Sequence, residues 1–278
     1  MYLWKWIKLW WRDIINKMTE NNKNMPFLEH LEELRWRIVR ASIVVILIGI
    51  IIWINQEWVM ENVFLVMSTP DFVSFRFLCK NFNMCVNEIP ISMQSMTVSG
   101  QFSYSLLMSF MGGLVIGFPF VFYQLWGFVK PGLKEKEKNS FKGLTFFVSV
   151  LFFLGIIFGY FVVSPLAIKF FGSYQISEDI QNIFTVNSYM STIISTVFYC
   201  GLFFLLPIAS YLLTKIGLIT PEFLKKYRKH AIVSVLILSA VITPPDVVSQ
   251  IIVAIPIILL YEIGVLASSR IYNKEQIK

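Results

Sequence analysis

The feature that most constrains this chain is the run from Leu144 to Ile168, which contains no charged side chain. A helix needs about 20 residues to cross ~30 Å of hydrocarbon, and this run exceeds that length. Further apolar runs extend over Trp36 to Ile54, Tyr104 to Val129, Tyr189 to Leu213, Ala231 to Thr243 and Val247 to Ala267. With 56% hydrophobic and 15% charged residues, the chain is too apolar for an ordinary soluble domain. Lipid offers no hydrogen-bond partner to a backbone, and no ten-residue apolar/polar alternation is present, so helices fit and a membrane barrel does not. The expected fold class is therefore an all-α integral membrane protein, a six-transmembrane-helix bundle with two short final helices.

Orientation follows from lysine and arginine. Lys5, Lys8, Arg12, Lys17, Lys23, Arg35, Arg37 and Arg40 precede or open the first span, which predicts a cytoplasmic N-terminus. An alternating path then puts Lys130, Lys134, Lys136, Lys138 and Lys142 inside, with Lys215, Lys225, Lys226, Arg228 and Lys229, and finally Arg270, Lys274 and Lys278. Arg76, Lys80 and Lys169 remain outside. A miscounted span would scramble this asymmetry, so it supports both the number of spans and cytoplasmic termini. The formal net charge of +7 has the same origin and does not call for nucleic acid as a partner. The start Met1 to Lys17 has neither a long apolar core nor a small-residue cleavage site, so the first span is expected to serve as the insertion signal.

The fifth span is unusual. Ala231 to Thr243 reaches only ~20 Å at 1.5 Å per residue before Pro244 and Pro245 force a turn. Either the bilayer thins beside this hairpin, or neighbouring helices shield it, or the pair is simply tilted. The outer loop from about Glu57 to Ser103 is long, carries Pro70 and Pro90, and mixes Phe and Met with polar residues; it is expected to fold as a cap. Cys79 and Cys85 lie in it, either joined by a disulfide in an oxidising compartment or present as free thiols, and Cys200 reads as packing inside a span.

No cluster suggests an enzyme, a metal site or a bound cofactor: the two histidines, His30 and His230, lie in charged segments, and there is no glycine-rich phosphate loop. The informative residues lie at the inner membrane edge. Glu29 and Glu33 share a helical face just before the first span. Glu33 either pairs with Arg37 at i, i+4 for a few tenths of a kcal/mol, or takes a ligand. A second acidic spot, Glu135 and Glu137, is interleaved with lysines between the second and third spans. Each carboxylate suits a bidentate guanidinium, so a ligand with two adjacent arginines fits the pair.

At these residues the chain resembles the TatC family, the multi-spanning receptor subunit of the twin-arginine translocase, from about Met25 to Arg270. The shared motifs are His30-Leu31-Glu32-Glu33-Leu34-Arg35, then Phe122-Tyr123-Gln124-Leu125-Trp126-Gly127-Phe128 with Pro131, then Tyr160-Phe161-Val162-Val163 with Pro165. Thr243-Pro244-Pro245-Asp246-Val247 with Ser249-Gln250 follows, and Ala254-Ile255-Pro256 with Tyr261-Glu262-Ile263-Gly264-Val265 completes the set. The resemblance implies that Glu33 and Glu137 contact the twin arginines of a signal peptide, with Arg35, Gln124 and Phe128 shaping the same site. Alternatives for these three are snorkelling to phosphate, a helix–helix hydrogen bond and simple packing. Pro70 matches a proline of the outer cap, while Asp246 and Gln250 fall on the final hairpin, where Asp246 caps the last helix. The sequence departs from the family at Leu205-Leu206-Pro207, where many members carry a polar side chain two residues before the proline.

Three segments are expected: a basic aromatic extension over 1–24, rich in tryptophan and either an interfacial anchor or a disordered tail; a six-span TatC-like domain over 25–270; and a cytoplasmic tail over 271–278. The resemblance further implies single-span TatA- and TatB-type partners, self-association, export of folded proteins across a bacterial inner membrane, and energy from the proton gradient. Two other readings are a secondary transporter of a small solute, which needs broken helices and ionisable midplane residues, and a membrane scaffold indifferent to Glu33 and Glu137.

Overall fold

In a computed structural model, the structure describes residues 27–82, 92–132, 143–175, 177, 183–242 and 247–276. The extension over 1–24, Glu135, Glu137, Cys85 and Asp246 lie outside the described residues, as do the side chains of Glu29 and of the chain beyond Tyr272. The bundle is built from α1 (Phe27–Ile54), α4 (Gly100–Val129), α5 (Leu144–Phe158), α7 (Val186–Phe203), α8 (Leu206–Lys215), α10 (Arg228–Ile242) and α11 (Val247–Gln276). Shorter pieces are α2 (Gln56–Val59), α3 (Val73–Phe82), α6 (Ser164–Ser173) and α9 (Pro221–Lys226). Among the described residues, five helical stretches are long and apolar enough to cross a membrane: His30–Ile54, Gly100–Val129, Leu144–Ser173, Val186–Lys215 and Gln250–Arg270. α10, expected as a short span over Ala231 to Thr243 reaching ~20 Å, has 15 residues and reaches ~22 Å, below the length of those five. Ile46, Leu47, Ile50 and Ile51 on α1, and Phe146, Phe147, Leu154 and Ile157 on α5, are exposed, an apolar exterior that only lipid solvates.

Helices in lipid gain little from burying leucine against leucine, so close backbone approach supplies the attraction. Ser109, Gly113 and Gly117 repeat every four residues on α4, are buried, and form a small-residue stripe against α1. A Cβ on Gly113 would stand 2.5 Å from the Val45 carbonyl oxygen and 3.0 Å from the Gly49 nitrogen. The α5–α7 contact repeats the device, since a Cβ on Gly155 would meet the Cys200 carbonyl oxygen at 2.6 Å and the Gly201 Cα at 2.8 Å.

The outer loop folds as a cap, as its composition predicts. Phe64, Met67, Phe72 and Phe75 from the loop are buried with Met108 of α4, Ile168 of α6, and Tyr189, Met190 and Ile193 of α7. Two tyrosines secure it: Tyr160 donates to the Val63 carbonyl at 2.9 Å, and Tyr189 to the Phe64 carbonyl at 2.7 Å. Both carbonyls belong to a π turn, Met60–Phe64, that leads directly into a 3-10 turn at Leu65–Ser68. Pro70 is exposed at the bend into α3, and Thr69 before it is extended (φ −91°, ψ 142°), as a residue preceding proline must be. Cys79, on α3, is disulfide-bonded. A two-stranded parallel ladder, β1 (Ser92–Gln94) with β2 (Ile183–Thr185), joins the loop after α1 to the loop after α6 and puts both on one side of the bundle.

Two spans are interrupted at their prolines. The third passes through a π turn at Gly159–Val163 before Pro165, and the fourth breaks at Phe204 and Leu205 before Pro207. Pro165 has no N–H for the carbonyl of Phe161, four residues earlier, and the Ser74 hydroxyl of α3 donates to that oxygen instead. Leu205 packs against the buried pair Leu144 and Val148.

The last two helices are joined along their length. Gln250 Nε2 donates to the Leu236 carbonyl at 3.0 Å, and Arg228 pairs with Glu262 at 2.7 Å. The buried hydroxyls of Thr214 and Ser268 meet at 2.6 Å between α8 and α11. α11 continues past Arg270 to Gln276, so the expected tail begins inside a helix.

Gly112 and Gly113 make a paired test of the α1–α4 contact. A Cβ on Gly112 meets only the tip of Ile52, whereas one on Gly113 meets backbone. Gly113→Ala is expected to destabilise the bundle by about 1–3 kcal/mol and Gly112→Ala by much less, read as thermal unfolding in detergent.

Candidate functional site

The site is built where the first turns of α1 meet the last turns of α4. At 100° per residue, His30, Glu33 and Arg37 (i, i+3, i+7) fall on one face of α1, and that face turns toward α4. Arg37 donates from Nε at 2.9 Å and from Nη2 at 2.5 Å, both to Glu33 Oε1. Its remaining nitrogen, Nη1, reaches the Gln124 carbonyl at 3.5 Å. The guanidinium lies against the Cα of Gly127, and a Cβ there would overlap it. Glycine in this run is thus a packing requirement for Arg37.

With side-chain exposures of 17% for Arg37 and 24% for Glu33, the pair is largely withdrawn from water. It is therefore not a screened surface contact worth a few tenths of a kcal/mol; charge-assisted bonds of this kind contribute about 1.5–3 kcal/mol. The two carboxylate oxygens are treated unequally. Oε1 holds both guanidinium bonds, while Oε2 is buried and has no hydrogen-bond partner among the described residues. His30 Nδ1 faces Oε2 from 3.9 Å. The His30 ring lies flat on Phe128, with centroids 4.2 Å apart and planes 15° apart.

The structure therefore brings together Glu33, Gln124 and Phe128 of the residues expected at the site. Arg35 is exposed, about 200° round α1 from Glu33, and does not join them. Glu137 lies outside the described residues. Gln124 is buried and enters through its backbone carbonyl. The Glu33–Arg37 pair is the i, i+4 contact that helix spacing offered as one alternative, whereas two participants, His30 and Gly127, were not singled out by sequence reasoning as shaping the site. The spacing of His30 three residues before Glu33 carried the signal for one of them; the approach of Arg37 to Gly127 spans two helices and left none. Gln250 and Pro70 are far from this end in the chain's path, on the final hairpin and in the cap.

Comparison with known proteins bears on this arrangement. The family model described as Sec-independent protein translocase protein (TatC) matches residues 29–256, a range that contains His30, Glu33, Arg37, Gln124, Gly127 and Phe128. The Sec-independent protein translocase protein TatC of Blattabacterium sp. subsp. Periplaneta americana is 37% identical over 265 residues, covering 92% of this chain and all of the relative. The TatCy protein of Bacillus subtilis is 31% identical over 254 residues, covering 91% of this chain and 92% of its own. A crystal structure of the twin arginine translocase receptor TatC superimposes with a TM-score of 0.65 at 31% identity, covering 86% of this chain and 98% of that one.

The dependence of Arg37 on Gly127 is open to a double-mutant cycle. Gly127→Ala is expected to destabilise the native chain but to be close to neutral when Arg37→Ala is already present. The coupling should be about 1–2 kcal/mol in thermal unfolding, and purely additive effects would show that the two residues do not depend on each other.

Proposed function

This chain belongs to the TatC family of Sec-independent protein translocases, and from that premise we propose that it binds the signal peptides of folded precursors at the His30–Glu33–Phe128 corner. It acts as the receptor of a twin-arginine translocase. The observation that carries the reading is that Glu33 already holds one guanidinium by charge-assisted bonds and keeps a second carboxylate oxygen with no hydrogen-bond partner among the described residues. A site that accepts the guanidinium of Arg37 has the chemistry to accept that of a ligand.

The second arginine falls to the acidic loop after α4, which is close in the chain: Glu137 follows Gly132 by five residues, a tether of at most about 18 Å. One arginine of the pair is assigned to Glu33 and the other to Glu137, with Phe128 offering a flat face and Gln124 fixing Arg37. Arg35, exposed beside them, meets lipid phosphate or peptide. The signal peptide's apolar segment then lies along the bundle as a helix. In this role the chain is a receptor and not a catalyst. It gathers single-span TatA- and TatB-type subunits and further copies of itself, and the proton gradient supplies the energy. Its place is the bacterial inner membrane, with the Glu33 end and both termini cytoplasmic, an orientation supported by the lysine and arginine asymmetry. Pro70 and Gln250 serve by holding the cap and the final hairpin, Asp246 by capping α11, and Cys79 pairs with Cys85.

The receptor assignment is tested by crosslinking a twin-arginine signal peptide to the chain in nanodiscs. Glu33→Ala, Glu137→Ala and a twin-lysine peptide should each weaken capture by about 30-fold, near 2 kcal/mol. Capture indifferent to all three would overturn the site. For the disulfide, thiol labelling of the denatured chain should find one reactive cysteine before reduction, Cys200, and three after it.

A further inference from the structure

Glu33 offers its two oxygens to different neighbours, and the difference has a chemical reading. Oε1 is saturated by Arg37, whereas Oε2 is buried with no donor among the described residues, an arrangement that leaves a charged acceptor short of the bonds it would make in water. The group facing it is His30, whose Nδ1 stops at 3.9 Å, beyond hydrogen-bond range. The imidazole itself is stacked on Phe128, 4.2 Å away and tilted by 15°. A flat nitrogenous group resting on an aromatic face with an edge toward a carboxylate is the pose of a bound guanidinium.

We propose that His30 is a placeholder for the ligand's arginine, seated on Phe128 in front of Glu33 Oε2 and displaced when a signal-peptide guanidinium takes that seat. The proposal rests on the reading that Glu33 receives a twin-arginine peptide, and it adds how the site tells arginine from other cations. An arginine reproduces the stack on Phe128 and also closes the gap that imidazole leaves, donating to Oε2 directly. A lysine ammonium has no plane to stack and cannot replace what His30 gives up on leaving. His30 therefore sets a threshold: a ligand must return both the stack and the bond. Because the free site is occupied by its own side chain, the apparent affinity is lowered by the fraction of time the seat is empty. Arg37, by holding Oε1, keeps the incoming group from docking on the wrong oxygen.

The test uses the full chain in nanodiscs, a fluorescent twin-arginine signal peptide as probe, and NMR of the chain carrying isotope-labelled histidine. There are two histidines, so His230→Asn leaves the His30 ring as the sole signal. The expected result is that His30→Ala binds the probe at least about threefold more tightly, as release of a self-occupied seat requires. In the unmutated site, the His30 ring protons, shifted upfield by Phe128, should move to unstacked positions as the peptide saturates the receptor. Binding that is unchanged or weaker in His30→Ala, or a His30 signal still ring-shifted at saturation, overturns the placeholder. The NMR result decides the matter even if the alanine variant does not fold. Glu33→Gln is the control for the underlying reading: if it binds the probe as well as the native chain does, the receptor site itself fails, and the placeholder with it.

Discussion

The rest of the structure depends on one requirement: a backbone carbonyl that loses its helical partner inside or beside hydrocarbon must find another donor within the protein. This chain departs from regular helix at several points, and the donors come from distant side chains. Pro165 frees the Phe161 carbonyl, and Ser74 takes it; in the π turn at Met60–Phe64, the Val63 and Phe64 carbonyls accept from Tyr160 and Tyr189. The same contacts decide where the cap sits. The cap is held to the third and fourth spans by the groups that repair their irregularities, so packing and hydrogen bonding cannot be separated there. A cap that slid along the bundle would break three hydrogen bonds at once.

The opposite end follows a related rule applied to charge. A carboxylate partly withdrawn from water needs a cation, and among the described residues Arg37 bonds one oxygen only. Arg37 can do so because Gly127 leaves room for a guanidinium where any other residue would place carbon. The binding role proposed for Glu33 thus rests on incomplete pairing. A fully satisfied Glu33 would be an inert structural ion pair, and an unpaired one would lose its charge or its burial.

Much of the fold is legible in the sequence because the bilayer dictates it. Span length and freedom from charge identify five long helices and the short α10 without recourse to packing, and the predicted starts and ends differ from the observed ones by a few residues at most except at the first and last. The first helix begins at Phe27, because Glu32, Glu33, Arg35 and Arg37 continue it beyond the hydrocarbon, and the last runs on to Gln276 for the same reason. The apolar and proline content of the outer loop likewise predicts a folded cap. The β1–β2 ladder and the reach of Ser74 to Phe161 are not legible, since each joins segments about ninety residues apart through contacts that no local pattern encodes. At the site, Glu33, Gln124 and Phe128 are readable from their motifs, and the Glu33–Arg37 spacing from helix geometry. That Gly127 admits the guanidinium and that His30 rests on Phe128 depend on how α1 crosses α4, which is fixed by Gly113 several turns away.

The 15-residue α10 has a consequence for the lipids themselves. Beside the longer helices, acyl chains meet a wall matched to their ordinary length; beside α10 the wall falls short by roughly 8 Å. Lipids packed directly against α10 would be compressed there, with elastic energy lowest where short or disordered chains collect. An annulus around such a wall would be uneven, with one soft sector whose position is written into the sequence by a pair of prolines, Pro244 and Pro245.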